Sequence, residues 1–415
     1  MAVSTPSTLD ASALRSDFPI FEQTFHGRPL AYLDSAASSQ KPRQVLDAMT
    51  RFYETSYANV HRGVYELAER ATAGLEEARG KVARFVNAPA EREIVFVRNA
   101  TEALNLVAYA WGLKNLGPGD TVVVTELEHH ANFVPWQFIA GKTGATFLVL
   151  DVDDQGHLDP ARLDELVGDA DVKVVATGYV SNVLGGAQDV PAIAAWAHAR
   201  GAIHVCDAAQ AAPHKRVDVQ ALGSDFVAVS GHKMLGPSGI GFLWGKADLL
   251  AEMDPFLTGG HMIRSVRADR TTWGELPHKF EAGTAPMAEA VGLGAAIDYL
   301  EEIGLDRIEA YEHELVAYAL EQLTDIPGVE LYGPPASERA GIVTFNVESV
   351  HPHDVAQVLD LDAVAIRAGH HCCQPLMSKL GVVATNRASF YLYTLPEEID
   401  RLANGVRRVK EQFGV

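Results

Sequence analysis

One rhythm constrains the fold of this chain more than any other feature. From about Glu93 to Trp244, short β-branched runs at 94–97, 121–125, 147–150, 172–176, 203–206, 226–229 and 241–244 alternate with helix-length segments. Such alternation predicts an α/β fold of βαβ units around a mainly parallel sheet, with one strand for each of the seven runs. Most runs are apolar throughout, the pattern of strands covered by helices on both faces. Helices are expected over 102–111 and 191–200, and beyond the sheet over 287–303 and 307–323. After Tyr332 the texture changes to a strand at 342–346, a helix at 354–361, strands at 364–367 and 388–392, and a last helix from Pro396. The expected division is an N-terminal arm over 1–30 packing on the small domain, a large domain over 31–285, and a smaller α+β C-terminal domain over 286–415.

A chain of 415 residues can bury a large core. Its net charge of −20 repels phosphate backbones and anionic lipid alike, so nucleic acid and membrane surfaces are not expected as partners. Three cysteines, of which Cys372 and Cys373 are adjacent, form no disulfide framework and suit a reducing cytoplasm. Residues 1–14 hold no Lys before Arg15 and no apolar export signal, and no later run has membrane length.

Ligands of open α/β sheets collect at the carboxyl ends of the strands, and there the sequence places its most reactive side chains. Ser230-Gly-His-Lys233 opens a glycine-rich loop after the sixth run. A lysine so placed and partly desolvated can take up Schiff-base chemistry; the alternative is a solvated loop lysine. One run earlier, Asp207 ends an apolar stretch, either as a carboxylate for a ring nitrogen or as a helix cap. In Arg98-Asn-Ala-Thr101-Glu102 the amides from Ala100 onward and the Thr101 hydroxyl would seat a phosphate, unless they form an ordinary cap. His129, in Glu126-Leu-Glu-His129-His130, could stack on a flat ring. Metal is the competing reading of the adjacent histidines, but neighbouring positions point apart and no ligand spacing accompanies them, so no metal is expected.

Taken together, Ala31-Tyr-Leu-Asp-Ser-Ala-Ala37, Glu128-His-His-Ala-Asn132, Ser181-Asn-Val-Leu-Gly185, Asp207-Ala-Ala-Gln210, Ser230-Gly-His-Lys233, Arg367-Ala-Gly-His-His-Cys372 and Arg387-Ala-Ser389 span nearly the whole chain. In order and content the set resembles the group II cysteine desulfurases of the SufS type. The resemblance implies the fold of the type I pyridoxal-phosphate enzymes and a reaction that converts L-cysteine to L-alanine, leaving a persulfide on the enzyme. It implies that Lys233 holds the cofactor and moves a proton, Asp207 pairs its ring nitrogen, His129 stacks on its face and Gln210 reaches its phenolic oxygen. Thr101, Ala100, Ser230 and His232 would bind the phosphate, with Thr284 reaching it from a second subunit of a homodimer. Arg387, with Asn182, would clamp the substrate carboxylate, and Arg367 would shape the loop of the nucleophile, Cys372.

Cys206 is read as a buried small side chain and Cys373 as a spectator. The four residues between Arg367 and Cys372 leave a short loop. This matches group II enzymes, which need a sulfur-acceptor protein. Val350-His351-Pro-His353-Asp354 resembles the form that works with SufU, a zinc-bearing acceptor, rather than SufE, with His353 taking the acceptor's zinc. The alternative for His353 is a surface histidine beside an Asp cap. Iron-sulfur cluster assembly through the SUF system is the implied destination. The competing activities are selenocysteine lyase and cysteine sulfinate desulfinase on the same cofactor site; from other classes come a non-catalytic sulfur scaffold and a metal hydrolase. Loss of function on Lys233→Ala separates the enzyme from the scaffold, and metal analysis separates it from the hydrolase.

Overall fold

The structure, a computed structural model, describes residues 9–61 and 63–415. The first eight residues of the expected arm therefore lie outside the described residues. Each of the seven runs becomes a strand: β1 (Ile94–Val97), β2 (Asp120–Thr125), β3 (Thr146–Leu150), β4 (Asp171–Gly178), β5 (Ile203–Asp207), β6 (Phe226–Ser230) and β7 (Gly241–Gly245). They form one sheet in the order β1-β7-β6-β5-β4-β2-β3. From β6 to β3 the neighbours run parallel, whereas β7 is antiparallel to both β6 and β1. Two reversals cancel, so β1, β2, β4, β5 and β6 present their carboxyl ends along one edge.

The apolar runs follow from covering both faces. Side chains alternate along a strand: Val122 and Val124 of β2 pack with Leu104 and Trp136 on one side, while Val123 packs with Ile193 on the other. Each such fully buried aliphatic side chain stabilises the fold by about 1.5–3 kcal/mol, which leaves no place for a polar alternation. The covering helices include Ala100–Val107, which runs on into a π-helical turn over Ala108–Gly112, His130–Thr143 and Val190–Ala199. Helix Met287–Ile303 packs on Arg43–Thr55 and Glu66–Phe85.

A second sheet is antiparallel throughout: β8 (Val329–Tyr332), β9 (Ile342–Val347), β10 (Arg367–Gly369) and β11 (Thr385–Ser389), in the order β8-β9-β11-β10. Helices Leu305–Thr324, Pro352–Asp360 and Pro396–Phe413 accompany it. Two expectations are corrected here. The single strand at 364–367 divides: Val364–Ala365 pairs in parallel with Ala31–Tyr32, and only from Arg367 does the chain join the second sheet. The strand expected at 388–392 sits three residues earlier, because Thr385, Asn386 and Arg387 carry the ladder while Phe390, Tyr391 and Leu392 are buried in the turn after it. Strand β8 was not anticipated. Along the described part of the arm, Arg15 donates to the Tyr393 carbonyl at 3.0 Å and pairs with Glu398 at 2.8 Å, and the Phe18 ring meets Tyr393 edge-on at 4.8 Å. No helix among the described residues is long and apolar enough to cross a membrane.

Candidate active site

The shared carboxyl edge of the first sheet and the segment β10 to β11 enclose a cavity of about 220 Å³. On its floor, Asn99 caps helix Ala100–Val107 by accepting the Glu102 N–H at 3.0 Å, and Ser230 Oγ at the end of β6 accepts the Ala100 N–H at 2.9 Å. This meeting needs glycine at 241: a Cβ there would stand 2.5 Å from the Val229 carbonyl oxygen and 2.9 Å from Asn99 Cα. Thr101 and His232 complete a wall with amides, hydroxyls and an imidazole around a helix N-terminus, a seat for an anion. His232 lies 3.2 Å from Ser38 Oγ.

Lys233, in the turn after β6, lines the same cavity. Burial, opposed by Asp207, pulls its amine down to about 8, so roughly a tenth of it is neutral at pH 7. Asp207 ends β5 and accepts the Ala209 N–H at 2.9 Å, so it makes a local turn as well as facing the cavity. Burial raises its carboxyl while Lys233 opposes. His129 caps helix His130–Thr143, its Nδ1 accepting the Ala131 N–H at 3.0 Å, and burial lowers its ring to about 3, which keeps it neutral. Gln210 donates to the Ala36 carbonyl at 2.7 Å.

These residues fit pyridoxal phosphate: an amine for its aldehyde, a carboxylate for its ring nitrogen, a neutral ring for its face and an anion seat for its phosphate. Three buried polar atoms on the cavity wall, Gln210 Oε1, His371 Nδ1 and Arg387 Nε, have no hydrogen-bond partner among the described residues. Polar atoms so buried call for a ligand or water to satisfy them.

Arg387 rises from β11, 2% exposed. It donates to the Asn182 carbonyl at 2.7 Å and to Asp34 Oδ1 at 3.2 Å. Asp34 Oδ2 also stands 3.9 Å from Arg367 at the mouth. Asn182 spends its side-chain nitrogen on the His371 carbonyl at 2.7 Å, which ties the arginine to the cysteine loop. In that loop His371 and Cys372 hold left-handed backbones at φ 52° and 57°. The Cys372 carbonyl accepts the His130 N–H at 2.7 Å, and its own N–H goes to His370 Nδ1 at 3.1 Å. Cys372 is half-buried and its sulfur lies within 4.8 Å of a nitrogen of His130 and of His370.

Cys373 is fully buried, donates to the Glu126 carbonyl at 3.5 Å, and burial pushes its thiol far up, away from thiolate chemistry. Cys206, in β5, is buried with its thiol raised in the same way. Thr284 is exposed and does not line this cavity, and neither does His353. His353 is exposed in the first turn of Pro352–Asp360, where His351 Nδ1 accepts its N–H at 3.2 Å; the cap is therefore His351, and the Asp cap expected beside His353 is corrected.

Three contributors were not singled out in the sequence. Asn99 caps the phosphate-seat helix, Asp34 joins Arg387 to Arg367, and Glu128 lies buried behind the cavity. Glu128 accepts from Thr125 and Asn132, each at 2.7 Å, and burial holds its carboxyl up at about 8. Asp34 and Glu128 stand inside segments that carry the resemblance, and that was the available signal.

The chain matches the aminotransferase class-V family over residues 31–402. It is 52% identical to a probable cysteine desulfurase of Halalkalibacterium halodurans, covering 98% of this chain and 99% of the relative. Among solved structures, a cysteine desulfurase of Thermococcus onnurineus in its apo form aligns with TM-score 0.92 at 41% identity, covering 98% of this chain and 100% of that one. The cysteine desulfurase CsdA of Escherichia coli, in an S-sulfonic acid form, aligns with TM-score 0.90 at 38% identity, covering 98% and 99%.

Proposed function

The chain belongs to the class-V aminotransferase family, among its cysteine desulfurases, and from that premise we propose the parts its residues play. The cofactor is pyridoxal 5'-phosphate; when bound it supplies an electron sink for the substrate carbon that carries the amino group. Lys233 holds it by the ε-amine and, once released, carries a proton at Nζ between substrate carbons. Asp207 keeps a positive charge on the ring nitrogen, His129 covers the ring face without adding charge, and Gln210 reaches the phenolic oxygen. Ala100, Thr101, Ser230 and His232 hold the phosphate. Arg387, with Asn182 beside it and Arg367 at the mouth, fixes the carboxylate of L-cysteine and so the direction of the bond to be broken.

The Cys372 sulfur then forms an S–S bond to the substrate sulfur while the substrate Cβ–S bond breaks. That bond's electron pair stays with Cβ, which takes a proton and becomes the methyl group of L-alanine, leaving the persulfide on Cys372. What carries this reading is the half-exposed Cys372 in one cavity with Lys233, Asp207, His129 and Arg387. The persulfide passes to an acceptor protein of the zinc-bearing SufU kind rather than the SufE kind, for iron-sulfur cluster assembly by the SUF system. The working form is a cytoplasmic homodimer in which Thr284 serves the phosphate of the second subunit; its exposure outside its own cavity supports that role. The test measures alanine and persulfide from L-cysteine, with each acceptor type and with none. Cys372→Ser is expected to abolish both products, and alanine formation at the wild-type rate in that variant would refute the assignment.

A further inference from the structure

Away from the cavity, three histidines from distant parts of the chain converge. His61 precedes helix Glu66–Phe85, His261 precedes the hairpin of Ile263–Val266 and Thr271–Trp273, and His278 opens a short turn before Glu281. Their rings stand 4.8, 4.9 and 5.6 Å apart between centroids, and one nitrogen from each lies within 4.8 Å of the other two. His61 Nε2 and His278 Nδ1 are buried and have no hydrogen-bond partner among the described residues. The nearest carboxylates, Glu76 at 3.6 Å from His61 and Glu281 at 4.0 Å from His278, stop short of hydrogen-bond reach. Among the described residues, Arg79 pairs with both of these carboxylates, with Glu281 at 2.7 Å and with Glu76 at 2.9 Å.

We propose that His61, His261 and His278 form a binding site for a borderline divalent cation of the zinc class, with Glu76 and Glu281 beside them on the same side as the unpartnered nitrogens. Three imidazoles suit such an ion, and the adjacent carboxylates add negative charge facing it. With zinc–nitrogen distances of about 2.0–2.1 Å, each nitrogen need move no more than about 0.8 Å to meet a shared ion. The site would clamp three segments, one of which leads in six residues from His278 to Thr284.

The experiment uses full-length holoenzyme stripped with chelator, desalted and dialysed against zinc chloride, with bound zinc counted by mass spectrometry. One zinc per chain is expected in the wild type, with affinity at least about tenfold weaker in His61→Asn and in His278→Asn. Cobalt(II) should give visible ligand-field bands that both variants lose. Should a variant fail to fold, Cys372→Ser, which breaks the cluster of Cys372 with His130 and His370, decides instead: zinc should still raise its Tm in a saturable way at one equivalent. No bound zinc, or zinc retained by both variants and lost on Cys372→Ser, overturns the proposal; the second result would put the ion on His130, His370 and Cys372.

Discussion

Cys372 and its neighbour occupy backbone conformations that cost a non-glycine residue roughly 1 kcal/mol or more each, and they are kept there by bonds to His130, Asn182 and His370. Cys373, one residue on, faces the opposite way into the core. Cys373→Ala should therefore keep near wild-type alanine formation while losing about 1 kcal/mol of stability to the small cavity, checked by turnover and denaturant melts. Lys233 gives a second prediction. In the apoprotein its folded value of about 8 lies below the unfolded value of about 10.4. Between these limits the unfolded chain binds more protons, so apoprotein stability should rise with pH from about 8 to 10, and Lys233→Met should flatten that rise. Equal pH slopes in the two proteins would count against the buried amine. Of the residues themselves, Lys233, Asp207 and Cys372 were legible because each ends a strand or sits in a polar loop. Asp34 and Glu128 were not, since each acts through partners hundreds of residues away or through burial that only the fold creates.

At the scale of elements, the first sheet was readable because most of its strands hold continuous apolar runs, and the second was not. Strand β11 carries Thr385, Asn386 and Arg387, all buried, so its polarity hid it, whereas the apolar 390–392 that imitates a strand is a packed turn. The switch of partner at Ile366 depends on Ala31–Tyr32, which local pattern cannot reveal. The close approach of β7 to the cap of helix Ala100–Val107 yields a test. Gly241→Ala would force Cβ against the Val229 carbonyl and Asn99, so it should cost about 1–3 kcal/mol and weaken cofactor retention together. Melting of the apoprotein and cofactor release on dilution would check both, and loss of stability alone would separate the strand from the phosphate seat.

For the whole molecule, the proposed function is divided between a cavity that would hold the chemistry and an exposed helix start that carries His353. Replacing His353 by alanine should leave slow dithiothreitol-supported turnover unchanged, because the residue lies outside the cavity, and should remove stimulation by a U-type acceptor. Full stimulation in the variant would sink the zinc-capture role. The peptide hydrogen bond from His130 to the Cys372 carbonyl has a consequence at this scale too. His129, whose ring would cover the cofactor, and the sulfur-bearing loop are joined through adjacent main-chain groups, so under the proposed function the thiol would act as a fixed station and not a swinging arm. An acceptor would then have to bring its own sulfur atom down to that station, and the fit of its contour to the rim, rather than the length of a tether, would govern how quickly cargo leaves.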